Sequence, residues 1–503
     1  MDGGADRAAR PRDAASIAGK FKPPAQQFDV VVVGAGPAGV EAAIRAAGDG
    51  ASVLLVDENP VGAGLIGLDV PLFYGQRATA AVHSPGRMLE QVFAANPRLE
   101  AAFEAGVEVA LGTYAWGAYV NGPGLNALPG PIIGLADEDR SWLCGFGALI
   151  VAAGARDLAL AFKGWDQPGV MGANALHALL TRYDAFSGRR IAVLGSGPLA
   201  LSTALLALDR GLEVAALVEV ADRPHGPAEL VAEVEARGVR ILCDRRIVEA
   251  QGGVDGVERL VLAGRAGGPT EAIACDTLVQ AIGLVPAVEL LDVLGVQLTF
   301  DGTRGGHVPV LAEDGRTSLD SVFAVGDAAG LSPGAEGTDY ALAWMRALTE
   351  TAGPDLVVCQ CEEVTRGALL GVRQPTYLGP PSDGMARRTL DDLAADGPVN
   401  QDQIKRLTRA CMGPCQARRC REQVAMTLAL ATDTPLAGIP LAGYRAPVRP
   451  LPLNVLADME EAAEMSAGWD VWFGIPAQWI PYQDIGSDRE ALHIEVLGGD
   501  MHL

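Results

Sequence analysis

The pattern that most restricts this chain is a strand, a glycine turn, a helix and a second strand, written twice. The first copy reads FDVVVVGAGPAGVEAAIRAA and then ASVLLVDE, beginning at Phe28; the second reads RRIAVLGSGPLALSTALLALDRG and then LEVAALVEV. A run of β-branched residues ending in glycines at fixed spacing predicts a buried parallel strand that turns tightly into a helix. In the first copy Gly34 permits the turn, Gly36 lets the backbone approach a pyrophosphate, and Gly39 lets helix and strand pack closely. The helix then turns its positive dipole end toward the phosphates. Asp57 ends the second strand 18 residues past Gly39, where a carboxylate can accept hydrogen bonds from a ribose; Glu58 is the adjacent alternative. In the second copy Gly195, Gly197 and Ala200 repeat the geometry and Glu219 stands at the strand end. An acid there favours a 2′-hydroxyl, hence NAD over NADP, while Arg223 nearby works against that preference. A second domain of this kind can also persist with its nucleotide replaced or lost.

A chain of 503 residues is too long for one core and implies about three domains. With 62 acidic against 39 basic side chains the formal charge is -23, which repels nucleic acid and anionic membrane. Neither is an expected partner. The opening MDGGADRAARPRDAASIAGKFKPP carries charge and proline where a secretory signal needs an apolar core, and no apolar run reaches about 18 residues. The expectation is a soluble cytoplasmic protein without an integral membrane segment. Residues 1–27 read as a flexible arm, and residues 433–503, rich in proline at their start, as a C-terminal extension making a subunit contact.

Beyond the Gly353-Pro354 junction five cysteines gather: Cys359 and Cys361 in VVCQCEEV, then Cys411, Cys415 and Cys420 in TRACMGPCQARRC. A two-iron cluster needs four thiolates, two on each iron, shielded from water. Zinc held by four thiolates is the chemical rival, although C-x-C spacing is unusual for it. Cys144, Cys243 and Cys275 lie in strand-like stretches and read as small buried hydrophobes. Lys405, Arg406, Arg409, Arg418 and Arg419 crowd the second group; one or two would stabilise a negative cluster, the others being charges on a solvated helix face. Residues 374–400 read as a polar, turn-rich surface excursion. No C-x-x-C lies near the first fingerprint helix, so disulfide reduction has no evident redox pair. His83, His177, His225 and His307 show no metal-ligand spacing and read as structural or surface residues, and no catalytic base is marked.

The two fingerprints in this order, with Ala153 and Gly154 of VAAGAR and Gly283 of QAIGLVP, resemble the glutathione-reductase-like flavoproteins over roughly residues 28 to 350. The resemblance implies an α/β fold with two Rossmann-like domains, a second nucleotide domain (158–286) inserted in an FAD domain (28–157 and 287–352). It also implies that Gly326 and Asp327 of SVFAVGDAAG contact the ribitol and pyrophosphate of FAD. Many relatives carry a Gly-Gly-Gln-like turn after the second strand; here the chain reads NPVGAGLIGLDVPLFYGQR, which leaves the flavin surroundings open, with Tyr74 and Gln76 as candidates for the pocket wall.

C-x-C followed by TRxxMGPCQxRxC resembles the small helical bacterioferritin-associated-ferredoxin-like [2Fe-2S] domain, here 353–432 with the 374–400 insertion. More narrowly it resembles the version fused to the large (alpha) subunits of opine dehydrogenases, hydrogen cyanide synthase and D-hydroxyproline dehydrogenase; heterotetrameric sarcosine oxidase has a related, cysteine-poor architecture. In that pattern the Cys411 position is commonly glycine, so the implied ligands are Cys359, Cys361, Cys415 and Cys420; a set with Cys411 in place of Cys420 remains the alternative. The implied function is the alpha subunit of a hetero-oligomeric oxidoreductase acting on CH–NH or CH–NH2 donors. An amino-acid-oxidase-like flavoprotein beta subunit would oxidise the amine, a small ferredoxin-like gamma subunit would complete the assembly, and electrons would reach an external acceptor through FAD and the cluster. Two other functions stay open: a self-sufficient NAD(P)H-dependent FAD/[2Fe-2S] reductase, and a non-catalytic scaffold with NAD or another adenine nucleotide at the second site.

Overall fold

A computed structural model describes residues 23–61, 75–122, 128–380 and 383–457, with a few positions between 484 and 493. Most of the expected flexible arm, Tyr74 and most of the C-terminal extension lie outside the described residues. Strand β1 (Gln26–Val33) opens the chain's order, two residues inside the expected arm, because Gln26 and Gln27 still pair with Cys144 and Gly145. Val31 and Val32 are fully buried, as befits a parallel strand covered on both faces. Helix α1 (Pro37–Gly48) follows, with Pro37 in its first turn where no amide is needed, and then β2 (Val53–Asp57). Parallel pairs join β1 to β2 and to Ser141–Val151. Among the described residues this sheet has seven strands, running Glu108–Leu111, β2, β1, Ser141–Val151, Ile132–Ala136, Tyr114–Tyr119, with Val322–Ala324 added in parallel along Ser141–Val151. The chain therefore returns to its first sheet after an excursion of well over a hundred residues.

That excursion holds the second copy: β3 (Arg190–Leu194), α2 (Pro198–Asp209) and β4 (Glu213–Val218). They form the centre of a parallel five-stranded sheet in the order Ile241–Leu242, β4, β3, Thr277–Gln280, Val170–Gly172. An antiparallel sheet of three strands, Arg245–Gly253, Gly256–Gly264 and Glu271–Ala274, lies between Ile241–Leu242 and Thr277–Gln280 in the chain. Helix α3 (Thr338–Thr349) leads out of the first unit, and its Tyr340, Trp344 and Leu348 are buried.

The cysteine module consists of a short hairpin (Val357–Cys359 with Val364–Thr365), helix α4 (Gln401–Thr408) and helix α5 (Arg421–Ala431). Helix α5 is buried on nearly all sides and packs on α3. One apolar cluster runs from Val31 in the first sheet through Trp344 to Val358 and Leu428 in the module. Gln423, 1% exposed, fastens the module: its Oε1 accepts from the Ala161 amide at 2.9 Å and its Nε2 donates to the Val358 carbonyl at 2.9 Å. Each such bond is worth a net ~1 kcal/mol, and losing the Gln would strand buried backbone partners. The segment expected to be a polar excursion instead carries the helices Asp383–Arg387 and Leu390–Asp396, and Leu390 and Leu393 enter the core. A capping box between Thr389 and Asp392 starts the second of these helices. Val448 of the C-terminal segment donates its amide to the Trp116 carbonyl at 2.7 Å, so this stretch lies on the chain's own first unit. No helix among the described residues is long and apolar enough to cross a membrane.

Candidate functional site

Parallel strands leave their carboxyl ends facing one side of the sheet, and there a cavity of about 440 Å³ opens beside β1 and β2. Gly34, Gly36, Asp57, Glu58, Ala153 and Gly154 line it, all of them expected from the sequence. Gly34 sits at φ +109°, where a side chain would collide with the Ala152 carbonyl, and a Cβ on Gly39 would collide with the Gly34 carbonyl. These two glycines serve chain packing. Gly36 is different, because a Cβ there would meet nothing within 4 Å. No side chain caps the α1 N-terminus, so the cradle is open where a pyrophosphate would lie. Asp57 braces the turn: Oδ2 accepts from the Ala35 amide at 2.6 Å and Oδ1 from the Asn59 amide at 2.8 Å. Glu58 pairs with Arg449 at 2.8 Å.

Other expected residues lie elsewhere. Gly326 and Asp327 begin a 3-10 turn against α1, where a Cβ on Gly326 would sit 2.9 Å from Ala38 Cβ, and they do not line the cavity. Gly283 lines a separate small cavity with Phe300 and His307. Gly195, Gly197, Ala200 and Glu219 line neither of these, and Glu219 is fully buried. Gln76, at φ +57°, is also outside the cavity wall. His177, expected to be structural or surface, does line the cavity, and its imidazole pKa is held down by burial and by Arg182 and Arg210.

Several wall residues carry no recognisable sequence signal of their own. Arg156 and Asp157 directly follow VAAGAR's glycine, which is the one cue that could have marked them. Asp157 accepts from the amides of Asn174 at 2.8 Å and Ala175 at 3.1 Å. Burial pushes its carboxyl up to about 6, with those amides and Arg419 pulling the other way. Arg156 sends Nη1 and Nη2 to Glu422 at 3.0 and 2.7 Å and Nε to Glu289 at 2.9 Å. Glu289 also accepts from the Tyr444 hydroxyl at 3.2 Å.

Immediately behind this wall the five clustered cysteines converge. Cys359, Cys411, Cys415 and Cys420 are buried, and Cys361 is half-buried. Cys420 Sγ lies 3.7 Å from Cys359 Sγ and 3.6 Å from Cys411 Sγ. Cys415 interacts with both Cys361 and Cys420, which hold its thiol well below the usual range against the opposing effect of burial. Two thiolates on one tetrahedral metal, each about 2.3 Å from it, stand about 3.8 Å apart, so these separations suit a shared metal. Among the described residues no three His, Cys, Asp or Glu side chains already surround one metal position. The sulfurs touch one another, and the fit rests on an all-thiolate donor set, burial and pair spacing, which are what a [2Fe-2S] cluster requires. Cys411 holds a left-handed φ of +71°. A side chain is strained there, whereas glycine is at ease.

Of the five cations near the cysteines, three are engaged outward: Lys405 with the Gly443 carbonyl, Arg406 with Asp402 and Arg409 with Glu362. Arg418 and Arg419 turn inward. Arg418 donates Nε to the Cys415 carbonyl at 3.0 Å while its side chain lines the dinucleotide cavity. Arg419 stands 5.7 Å over the Trp165 ring. The cavity and the sulfurs thus share one wall, only a side chain thick.

Comparison with known proteins agrees with this geometry. The large subunit of opine oxidase from Agrobacterium tumefaciens (strain Ach5) is 26% identical over 479 residues, covering 87% of this chain and 92% of that protein. The alpha subunit of sarcosine oxidase from Rhizobium meliloti (strain 1021) is 29% identical over 276 residues, covering 52% of this chain but 25% of that longer protein. Among solved structures, L-proline dehydrogenase from P. horikoshii shares the fold, with a TM-score of 0.55 at 20% identity over 86% of this chain and 79% of that one. Residues 28–350, the span holding both fingerprints, match the pyridine nucleotide-disulphide oxidoreductase family, and the chain belongs to that family.

Proposed function

We propose that this chain is the alpha subunit of a hetero-oligomeric flavin and iron–sulfur dehydrogenase that oxidises the C–N bond of an amino acid, opine or secondary amine. Amine oxidation takes place on a partner flavoprotein, and this chain receives the electrons. The observation that carries the reading is adjacency: Arg418 lines the dinucleotide cavity and hydrogen-bonds the backbone of Cys415. The names of its relatives, one a subunit of opine oxidase and the other of sarcosine oxidase, support both the donor class and the assembly.

FAD, when bound, converts between two-electron and one-electron transfer, and a [2Fe-2S] cluster carries single electrons. Gly34, Gly36, Ala153 and Gly154 would hold the dinucleotide, and Asp57 or Glu58 its ribose. Cys359, Cys361, Cys415 and Cys420 would hold the cluster, with Cys411 touching Cys420. Arg418 keeps a guanidinium between the two positions, where it offsets negative charge on both sides. The buried pairing of Arg156 with Glu422, two residues past Cys420, holds the sulfur-bearing module against the cavity.

The test is anaerobic purification of the chain alone and with its co-purifying subunits. The lone chain is expected to carry flavin nucleotide, two irons and two acid-labile sulfides, and a paramagnetic resonance signal after dithionite. Amine oxidation is expected only after a second flavoprotein subunit is added. Zinc or no metal in place of iron would overturn the cluster, and robust amine oxidation by the lone chain would overturn the subunit role.

A further inference from the structure

The two fingerprints look alike in sequence but differ at the atom that matters. At the first, a Cβ on Gly36 meets open space. At the second, a Cβ on Gly197 would collide with Glu336 Oε1. The same oxygen accepts a hydrogen bond from the Leu199 amide at 2.7 Å, in the first turn of α2. That amide is the donor a pyrophosphate takes in this fold, and a carboxylate on a helix N-terminus satisfies the same unpaired donor and dipole. Glu336 is only 5% exposed and comes from the segment that returns to the first unit just before α3.

The ribose end is filled as well. Glu219 accepts hydrogen bonds from the Ser196 hydroxyl and, at 2.6 Å, from the Tyr340 hydroxyl. Tyr340 in turn accepts from the Ser196 amide at 3.0 Å, and the His225 ring stacks on Tyr340 at 4.2 Å. The His225 amide donates to Ser196 Oγ at 2.9 Å, closing the loop after β4 over the turn.

We infer that Glu336 and Tyr340 are built-in occupants of the second fingerprint, standing where a nicotinamide dinucleotide would put its pyrophosphate and its adenine ribose, so that this domain takes no NAD(P)H. Electrons then enter the chain only from the side of the first cavity. Burial raises the Glu336 carboxyl above its ordinary range, with the Leu199 amide pulling it down. A less charged carboxyl is the easier one to keep in that position. The inference is independent of what the cysteines hold.

Calorimetric titration of the full chain with NADH and with NADPH tests it, alongside the visible flavin spectrum under anaerobic NADH. The wild type is expected to bind neither dinucleotide more tightly than about 1 mM, the weak-complex limit, and to keep its flavin spectrum. E336A empties the space beside Gly197 and is expected to tighten NADH binding at least about tenfold. E336Q keeps the same shape and acceptor oxygen and is expected to stay closed, which also controls for folding. Micromolar NADH or NADPH binding by the wild type overturns the inference. So does a folded E336A that binds no better than the wild type, or an E336Q that opens as fully as E336A.

Discussion

Arg156 is the point at which cavity and cysteine module are held together, and Arg156→Met measures how firmly. The substitution keeps the apolar stem and removes a guanidinium whose side chain is 11% exposed, facing Glu289 and Glu422 at 10% and 14%. Glu289 keeps the Tyr444 hydroxyl, and Glu422 keeps Arg421 Nε only at 3.6 Å. Two buried carboxylates therefore lose their main cation. Unit charges about 4 Å apart interact by about 4 kcal/mol at an effective dielectric of about 20, and removing one partner of a buried pair costs about 3–5 kcal/mol. We expect about 4 kcal/mol. The pH dependence carries the sign. Burial pushes both carboxyls up, and the charge of Arg156 overcomes it, so both end below the ordinary 4.5. In the wild type their stabilisation is present above that value and is lost as pH falls through the depressed folded one. In R156M burial acts without the cation, the folded values rise above 4.5, and protonation on acidification relieves the charge. The deficit is therefore largest near neutrality and shrinks toward about pH 5. Urea unfolding, followed by the fluorescence of the buried Trp165 and Trp344, reads it at both pH values. A deficit under about 1 kcal/mol near neutrality, or one that grows on acidification, refutes the reasoning.

Iron analysis separates the two ligand sets: C359A and C420A are expected to lose most of their iron, whereas C411G keeps it and, by relieving a left-handed backbone, unfolds no earlier than the wild type. Iron loss in C411G with retention in C420A would reverse the assignment. G36A, whose new methyl meets nothing, is expected to fold with the melting temperature of the flavin-free wild type yet retain little flavin absorbance, whereas G34A, strained and blocked by Ala152, fails to accumulate. Full flavin in G36A would count against the placement of the dinucleotide. Asp157 has a folded value raised from 3.8 to about 6, so its contribution is complete at acid pH and declines as pH rises between those limits. The stability of D157N relative to the wild type should improve across that window and level off above it; an unchanging difference would mean that Asp157 is not buried as described.

The repeated glycine turns were readable because they need glycine or a small residue at fixed offsets, a demand made by backbone geometry alone. Gly34, Gly36, Asp57, Ala153 and Gly154 met around one cavity for that reason. The gathering of the cysteines was readable in part, since short spacing brings Cys359 near Cys361 and Cys415 near Cys420 without help from the fold. What spacing leaves open is distance across the chain. Leu390 and Leu393 looked like a polar loop because their few apolar positions acquire a partner only when the module folds. The pairing of Arg156 with Glu422 joins positions 266 residues apart. Likewise, the two fingerprints are near copies by motif, and only tertiary structure made one a cradle and the other a closed site. A motif specifies the amides that point at a ligand; which oxygen reaches them first depends on a side chain 137 residues away, at Glu336.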